Sequence, residues 1–370
     1  MAPAGRRRPV LAALIGLALV GAACSGGDGG SDPTQDKGFA DAPGEKILQF
    51  TGAGKVRMGA TLTLPSNSAQ SNGGQSGTSG PVPAVLIVPG PGLTSRNGRT
   101  VGAPIDNLYK DLSKAFVAAG MATFRYDRRG SGASTLDPGV QPTWDDMVTD
   151  AQEALKYLGE RGEIDGARLA VVGHDMSGPI ALKLAATDNR VKSVALVAAP
   201  GRPLVDVWAG EFQALSGQQS ADAFRALVTD LLATGNLPAR TSIRSEHQTL
   251  LPVGQDALYK AMFAVDPLAD ARSVKVPVMI ALGEKSTSVV AEDASLLTAA
   301  LGGRSEVVVA PNATATLQTL KAPPRVVPGG DPSDMSAMGG GPIIADAPRE
   351  QPTVARLTSF MGASVGARAA

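Results

Sequence analysis

The sequence predicts an α/β fold, a mainly parallel sheet with helices on both faces and a helical cap inserted late in the chain. Three observations predict it. Between Val82 and Ala199, apolar runs short enough for strands alternate with amphipathic helical runs, the rhythm that builds a parallel sheet covered on both sides. In Arg168-Leu-Ala-Val-Val-Gly173-His174-Asp175-Met176-Ser177-Gly178-Pro-Ile-Ala-Leu182 a strand, a tight turn and a helix start follow without a break, and such a turn presents its apex residue, here Asp175. From about 201 to 274 helical patterns run together with no strand between them, which is how an inserted cap reads.

Taken in order, residues 1–24 stand apart from the fold. Arg6, Arg7 and Arg8 precede an apolar run from Val10 to Val20, and Gly21-Ala22-Ala23 lead to Cys24, the single cysteine. This is the pattern of an export signal, with an apolar run shorter than the roughly 20 residues of a membrane span. Cys24 resembles the lipid-modified cysteine of a bacterial lipoprotein, although Gly21 stands where a leucine is usual. The reading places the protein outside the cell, held to the outer face of the membrane by lipid on Cys24, and removes any disulfide framework or cysteine nucleophile. Residues 25–43, rich in Gly, Ser, Asp and Pro, read as a flexible tether, and 44–370 as the folded domain. The 34 basic and 34 acidic residues of the whole chain cancel, so no nucleic-acid partner is expected and membrane contact is expected through the anchor alone.

Glu45–Thr51 and Val56–Leu64 alternate as an opening strand pair, and the Ser, Gly and Asn insert 66–80 is a loop. Val82–Val88 is a β run; Ile105, Leu108, Leu112, Ala115, Phe116 and Ala119 fall at helical spacing. Met121–Tyr126 is a strand, and Trp144, Met147, Val148, Ala151, Ala154, Leu155 and Leu158 mark the clearest helix. Leu169–Val172 and Val191–Ala199 are further strands. Helical patterns at 204–215, 221–233 and 256–265 make the cap. The sheet resumes with Val276–Leu282, a helix over 290–301 and Glu306–Val309; 321–351 reads as an irregular loop, and Val354–Phe360 as a short closing helix.

These segments, with Val88-Pro89-Gly90-Pro91-Gly92, Asp127-Arg128-Arg129-Gly130-Ser131-Gly132 and Val276-Pro277-Val278-Met279-Ile280-Ala281-Leu282-Gly283-Glu284, resemble the α/β-hydrolase superfamily, most closely its bacterial serine-esterase branch, over about 45–320. The resemblance implies a nucleophile elbow, G-x-S-x-G, with a catalytic triad and two oxyanion N–H donors. Here each part is altered. Asp175 stands where the serine should be, and Ser177 takes the second glycine. Ser286 follows Gly283-Glu284-Lys285 where the orienting carboxylate is usual, and Ala315 where the histidine is usual. Pro91, which has no N–H, occupies one oxyanion position, leaving Met176 for the other.

Asp175 has two readings. It is a carboxylate nucleophile, as in the haloalkane dehalogenases and epoxide hydrolases it resembles, or a turn residue accepting N–H groups at the helix start. No histidine follows His247. His174 reads as turn packing; His247, in the polar Arg244-Ser245-Glu246-His247-Gln248, reads as exposed and is the candidate for a relocated base. Glu284 and Asp206 are the substitutes on offer for the orienting carboxylate, though neither lies at the position that would aim at residue 315. Losing nucleophile or base of such a unit costs about 10⁶ in kcat.

The expectation is therefore an envelope-anchored, esterase-like protein without Ser-His-Asp catalysis, serving as a binding or accessory protein, with a small apolar or acyl ligand in a capped pocket and no cofactor or metal. The alternative is an active hydrolase on ester, epoxide or halide through Asp175 and a relocated base. A structural envelope protein with a collapsed pocket is a third.

Overall fold

The computed structural model describes residues 44–66, 80–90, 94–99, 106–136, 140, 142–248, 251, 255–320 and 347–367. The export signal, Cys24, the tether, Pro91, most of the 66–80 insert and most of 321–351 lie outside the described residues.

Strands β1 (Glu45–Thr51) and β2 (Arg57–Thr63) pair antiparallel, and β2 pairs antiparallel with β4 (Ala122–Tyr126). The strands β3 (Val82–Val88), β5 (Ile164–His174), β6 (Val191–Val197), β7 (Val278–Gly283) and β8 (Ser305–Ala310) run parallel to β4, giving one sheet in the order β1-β2-β4-β3-β5-β6-β7-β8. This is the mainly parallel α/β-hydrolase sheet. Its central strands are apolar without interruption because both faces are covered: Ala84, Leu86 and Val88 of β3 enter one core, Val85 and Ile87 the other.

Helices α1 (Leu108–Ala118) and α9 (Gln351–Val365) cover one face. The other carries α2 (Trp144–Gly159), α3 (Gly178–Thr187) and α8 (Ala291–Leu301). Between β6 and β7 come α4 (Leu204–Ser216), α5 (Gln218–Thr234), the short α6 (Ser245–Gln248) and α7 (Asp256–Phe263). Trp208, Phe212, Phe224 and Phe263 of these helices pack ring to ring. The start of α2 is fixed locally by a capping box, Thr143 accepting the Asp146 N–H at 3.1 Å while the Asp146 carboxylate accepts the Thr143 N–H at 2.8 Å.

Two elements differ from the sequence expectation. β5 begins at Ile164 rather than Leu169, because the polar Asp165-Gly166-Ala167-Arg168 joins the sheet margin, where side chains need not be apolar. α9 runs from Gln351 to Val365 and not merely 354–360. Glu350 caps it by accepting the Thr353 N–H at 2.7 Å, and Pro352 sits in its first turn. Just before it, Arg349 is buried and ion-paired to Asp106 and, at 3.2 Å, to Asp111, so this end of the expected irregular loop is a fixed joint.

The turn after β4 is scaffold. Asp127, fully buried, receives the backbone N–H of Arg96 at 2.7 Å, the Arg96 guanidinium at 2.5 Å and the Ala133 N–H at 2.9 Å. Removing one member of a buried ion pair strands the other, at a cost of about 3–5 kcal/mol. Asp127→Ala is expected to destabilise by that amount, read as a lower urea midpoint.

Candidate active site at the carboxyl edge of the sheet

Asp175, Ser286 and Ala315 follow the carboxyl ends of β5, β7 and β8, so parallel pairing stands all three along one edge of the sheet. The elbow is tight. A Cβ on Gly173 would meet the Ser177 carbonyl at 2.7 Å and Ala181 at 2.8 Å, so only glycine allows the strand to turn back over its helix. Asp175 itself takes φ 52°, a left-handed conformation that aspartate tolerates better than most side chains. Ser177 is buried and donates its hydroxyl to the Pro89 carbonyl, tying the elbow to the end of β3.

Beside the elbow the Gly90 N–H donates to the Tyr109 hydroxyl at 2.6 Å, and that hydroxyl lies 3.0 Å from Nδ1 of His174. Its single proton therefore goes to Nδ1. Burial holds the imidazole down to about 4, Asp106 opposing and Arg349 assisting, so His174 is neutral and is packing for the turn.

Asp175 keeps part of its surface accessible, but dense surroundings push its carboxyl up to about 6, against the Met176 backbone N–H that hydrogen-bonds it and the Arg128 cation nearby. The Met176 donor, expected to serve an oxyanion, is thus engaged by the apex carboxylate. Arg128 is buried, donates to the Gly90 carbonyl and contacts Sδ of Met147. Among the described residues no carboxylate lies within ion-pair distance of it, Asp150 being held by Arg129 at 2.7 Å.

Sequence reasoning missed Glu211. It sits on α4 three residues after Trp208, four after Val207 and seven after Leu204, all buried, so helical spacing puts it on the inward side. Burial, and then the charge of Asp175, push its carboxyl up to about 7. The signal was present: an acidic residue on the apolar stripe of an amphipathic helix.

The loops after β7 and β8 are stitched together. Glu284 N–H donates to Ala310 at 2.9 Å, Lys285 N–H to Ala313 at 2.9 Å, and Asn312 N–H to the Glu284 carboxylate at 2.8 Å. In the space between such loops a triad would keep its acid and base. Here the Ser286 hydroxyl is buried with no hydrogen-bond partner among the described residues, and Ala315 packs against the core on the elbow side. Glu284 is exposed, and Lys285 holds its carboxyl below the usual range. Asp206 pairs with Arg225 at 3.1 Å on the other side of α4.

His247 is not exposed as expected. It is buried, its ring against Phe212 and Phe224, with Nε2 3.0 Å from the Ser220 hydroxyl. The polar flanks conceal one helical turn with the histidine on its inner side. Burial lowers its pKa, and the charges acting on it are Glu246 and Arg244, not Asp175.

The cavities also differ from the expected pocket beneath the cap. One of 590 Å³ opens between α1 and the start of α9, lined by Asn107, Asp111, Lys114, Gln318, Arg349 and Gln351. Another of 10 Å³, about the size of one water, is lined by Pro89, Tyr126, Arg128, Met147, Asp150 and Ile180. Neither is lined by Asp175.

Compared with known proteins, residues 106–317 match the serine aminopeptidase S33 family. A thiohydrolase of Arthrinium phaeospermum is 30% identical over 115 residues, 31% of this chain and 34% of that protein, so the chain matches about a third of this relative's length. Among solved structures, the α/β hydrolase GrgF from Penicillium sp. sh18 is 17% identical with a TM-score of 0.52, covering 87% of this chain and 99% of that one. The esterase domain of a Rhodothermus marinus protein is 16% identical with a TM-score of 0.50, covering 87% and 99%. These structures share the fold.

Proposed function

This chain belongs to the serine aminopeptidase S33 family of hydrolases, and we propose that it has exchanged Ser-His-Asp catalysis for carboxylate chemistry at Asp175, hydrolysing esters slowly at the outer face of the cell membrane. The observation that carries the reading is the apex itself: a partly accessible carboxylate at about 6, beside a buried cation, at the one place in the fold where a reacting group is presented. Its neighbours in a triad, Ser286 and Ala315, have no chemistry to offer a serine.

In this reading Asp175 is the general base. It takes a proton from a water that attacks the ester carbonyl directly, so no acyl-enzyme forms and no histidine is needed to release one. Arg128 favours the ionised form of Asp175 and, lying near it, also favours negative charge on the attacked oxygen. The Met176 N–H, spent on the apex carboxylate, contributes little, which is why the reaction is slow.

The test is turnover of short acyl esters by the purified protein, with intact-mass measurement during the reaction. Turnover without an acyl adduct supports the general-base reading; an adduct on Asp175 makes it a nucleophile instead. No turnover favours a second reading, a binding or accessory protein for a small apolar or acyl ligand, which the occupied Met176 N–H supports. The anchoring half of the proposal rests on Cys24: metabolic fatty-acid label is expected on wild type and absent from Cys24→Ala, and equal label on both would remove the anchor.

A further inference from the structure

We propose that the small cavity lined by Pro89, Tyr126, Arg128 and Met147 binds a single chloride ion against the Arg128 guanidinium. The site goes beyond the reading at Asp175 and does not depend on it, since Asp175 does not line this cavity.

Five arginines are buried among the described residues: Arg96, Arg125, Arg128, Arg129 and Arg349. Four of them hold a carboxylate. Arg96 pairs with Asp127 at 2.5 Å, Arg125 with Glu45 at 2.8 Å, Arg129 with Asp150 at 2.7 Å, and Arg349 with Asp106. Arg128 is only 8% exposed, and among the described residues no carboxylate pairs with it. A guanidinium carries five N–H donors; among the described residues those of Arg128 reach only the Gly90 carbonyl and Sδ of Met147, a weak acceptor. A buried cation is costly unless a negative charge faces it. The described residues thus leave one positive charge to be met by something bound.

The cavity gives the place. Arg128 forms part of its wall, and its 10 Å³ leaves room for one small particle. A carboxylate, phosphate or sulfate is too large for it, whereas a monatomic anion is not, and chloride is the common monatomic anion in water. Tyr126, also in the wall, is buried, and its hydroxyl has no hydrogen-bond partner among the described residues, which leaves a second donor for the ion. Ile180, in the first turn of α3, lines the same space and brings the positive end of that helix to it. Asp150 is the one acidic group in the wall, and its charge is already met: Arg129 donates to Oδ1 at 2.7 Å and to Oδ2 at 2.8 Å, and the Ala53 N–H to Oδ1 at 2.8 Å. A water would fill the space equally well but would leave the charge of Arg128 unopposed.

The experiment melts the purified protein in sodium chloride and in sodium gluconate at one ionic strength, gluconate being too large to enter. The wild-type melting temperature is expected to rise by about 2 °C as chloride replaces gluconate, along the saturating curve of one site. Arg128→Met, which keeps much of the volume and loses the charge, is expected to show no dependence on chloride. Tyr126→Phe, which removes one donor to an ion, is expected to need about 10-fold more chloride for half the rise. Crystals soaked in sodium bromide are expected to show an anomalous peak in the cavity beside Arg128. Equal melting in the two salts with no bromide peak there would overturn the proposal and leave a water in the cavity. A bromide peak without a chloride effect on melting would be binding at crystal concentration only and would overturn it as well, and so would a chloride response that Arg128→Met retains. If Arg128→Met does not fold, Tyr126→Phe decides: a shifted chloride midpoint together with the bromide peak supports the site, and an unshifted midpoint overturns it.

Discussion

Asp175→Asn lowers kcat/KM for ester hydrolysis by about 10²–10⁴, the range of a general base, and at the same time makes the protein more stable. Both effects come from one cause. Burial raises the Asp175 carboxyl from its ordinary value to about 6, so the native state holds a proton that the unfolded state releases at lower pH. A carboxyl raised on folding adds stability that is present below its unfolded pKa and lost as pH rises through the folded one. Asp175 and Glu211, at about 6 and about 7, therefore both make stability fall between about pH 4 and 7. The amide cannot ionise and escapes that loss. At one to two pKa units for a partly shielded group, the gain is on the order of 2 kcal/mol. The pH profile follows Asp175: the wild-type rate rises with pH as its carboxyl ionises, through about 6. Denaturant midpoints at pH 5 and 8, with rates across the range, check both halves. A variant with an unchanged rate and no gain in stability would mean Asp175 is a turn residue with ordinary partners.

The second large effect is a gain. Asp175→Ser combined with Ser286→Asp and Ala315→His is expected to hydrolyse p-nitrophenyl esters at least about 10³-fold faster than Asp175→Ser alone, since the base of a complete triad is worth up to about 10⁶ and the altered oxyanion hole is common to both variants. The geometry favours it. The loops bearing 286 and 315 are already joined by backbone hydrogen bonds from Glu284, Lys285 and Asn312, and Ser286 has a buried oxygen with no partner among the described residues. Removing the Asp175 carboxylate also frees the Met176 N–H that it engages. A fluorophosphonate label at position 175, found in the triple variant and not in Asp175→Ser, identifies an activated serine. A folded triple variant that takes no label would show that the three strand ends do not converge as a triad requires.

The fold was legible because its signals are local. The alternation from Val82 to Ala199, the strand and turn ending at Gly173 and the helical run from 204 are each set by neighbours within a few residues, and the covered faces of a parallel sheet force apolar strands. That 175, 286 and 315 follow the ends of β5, β7 and β8 was legible too, since strand order along the chain says which loop follows which strand. His247 was misjudged because the polarity of its neighbours says nothing about the direction of one side chain on a helical turn, and Phe212 and Phe224, which enclose it, lie 35 and 23 residues earlier. Glu211 was missed for the same reason. Its raised carboxyl comes first from water excluded by packing and then from the charge of Asp175, 36 residues away. The sequence by itself determined which groups the chain owns and the scaffold that holds them. How far the carboxyls of Asp175 and Glu211 are raised, only the tertiary structure decided, because burial and the distance between charges set a proton's affinity, and neither is a local property of the chain.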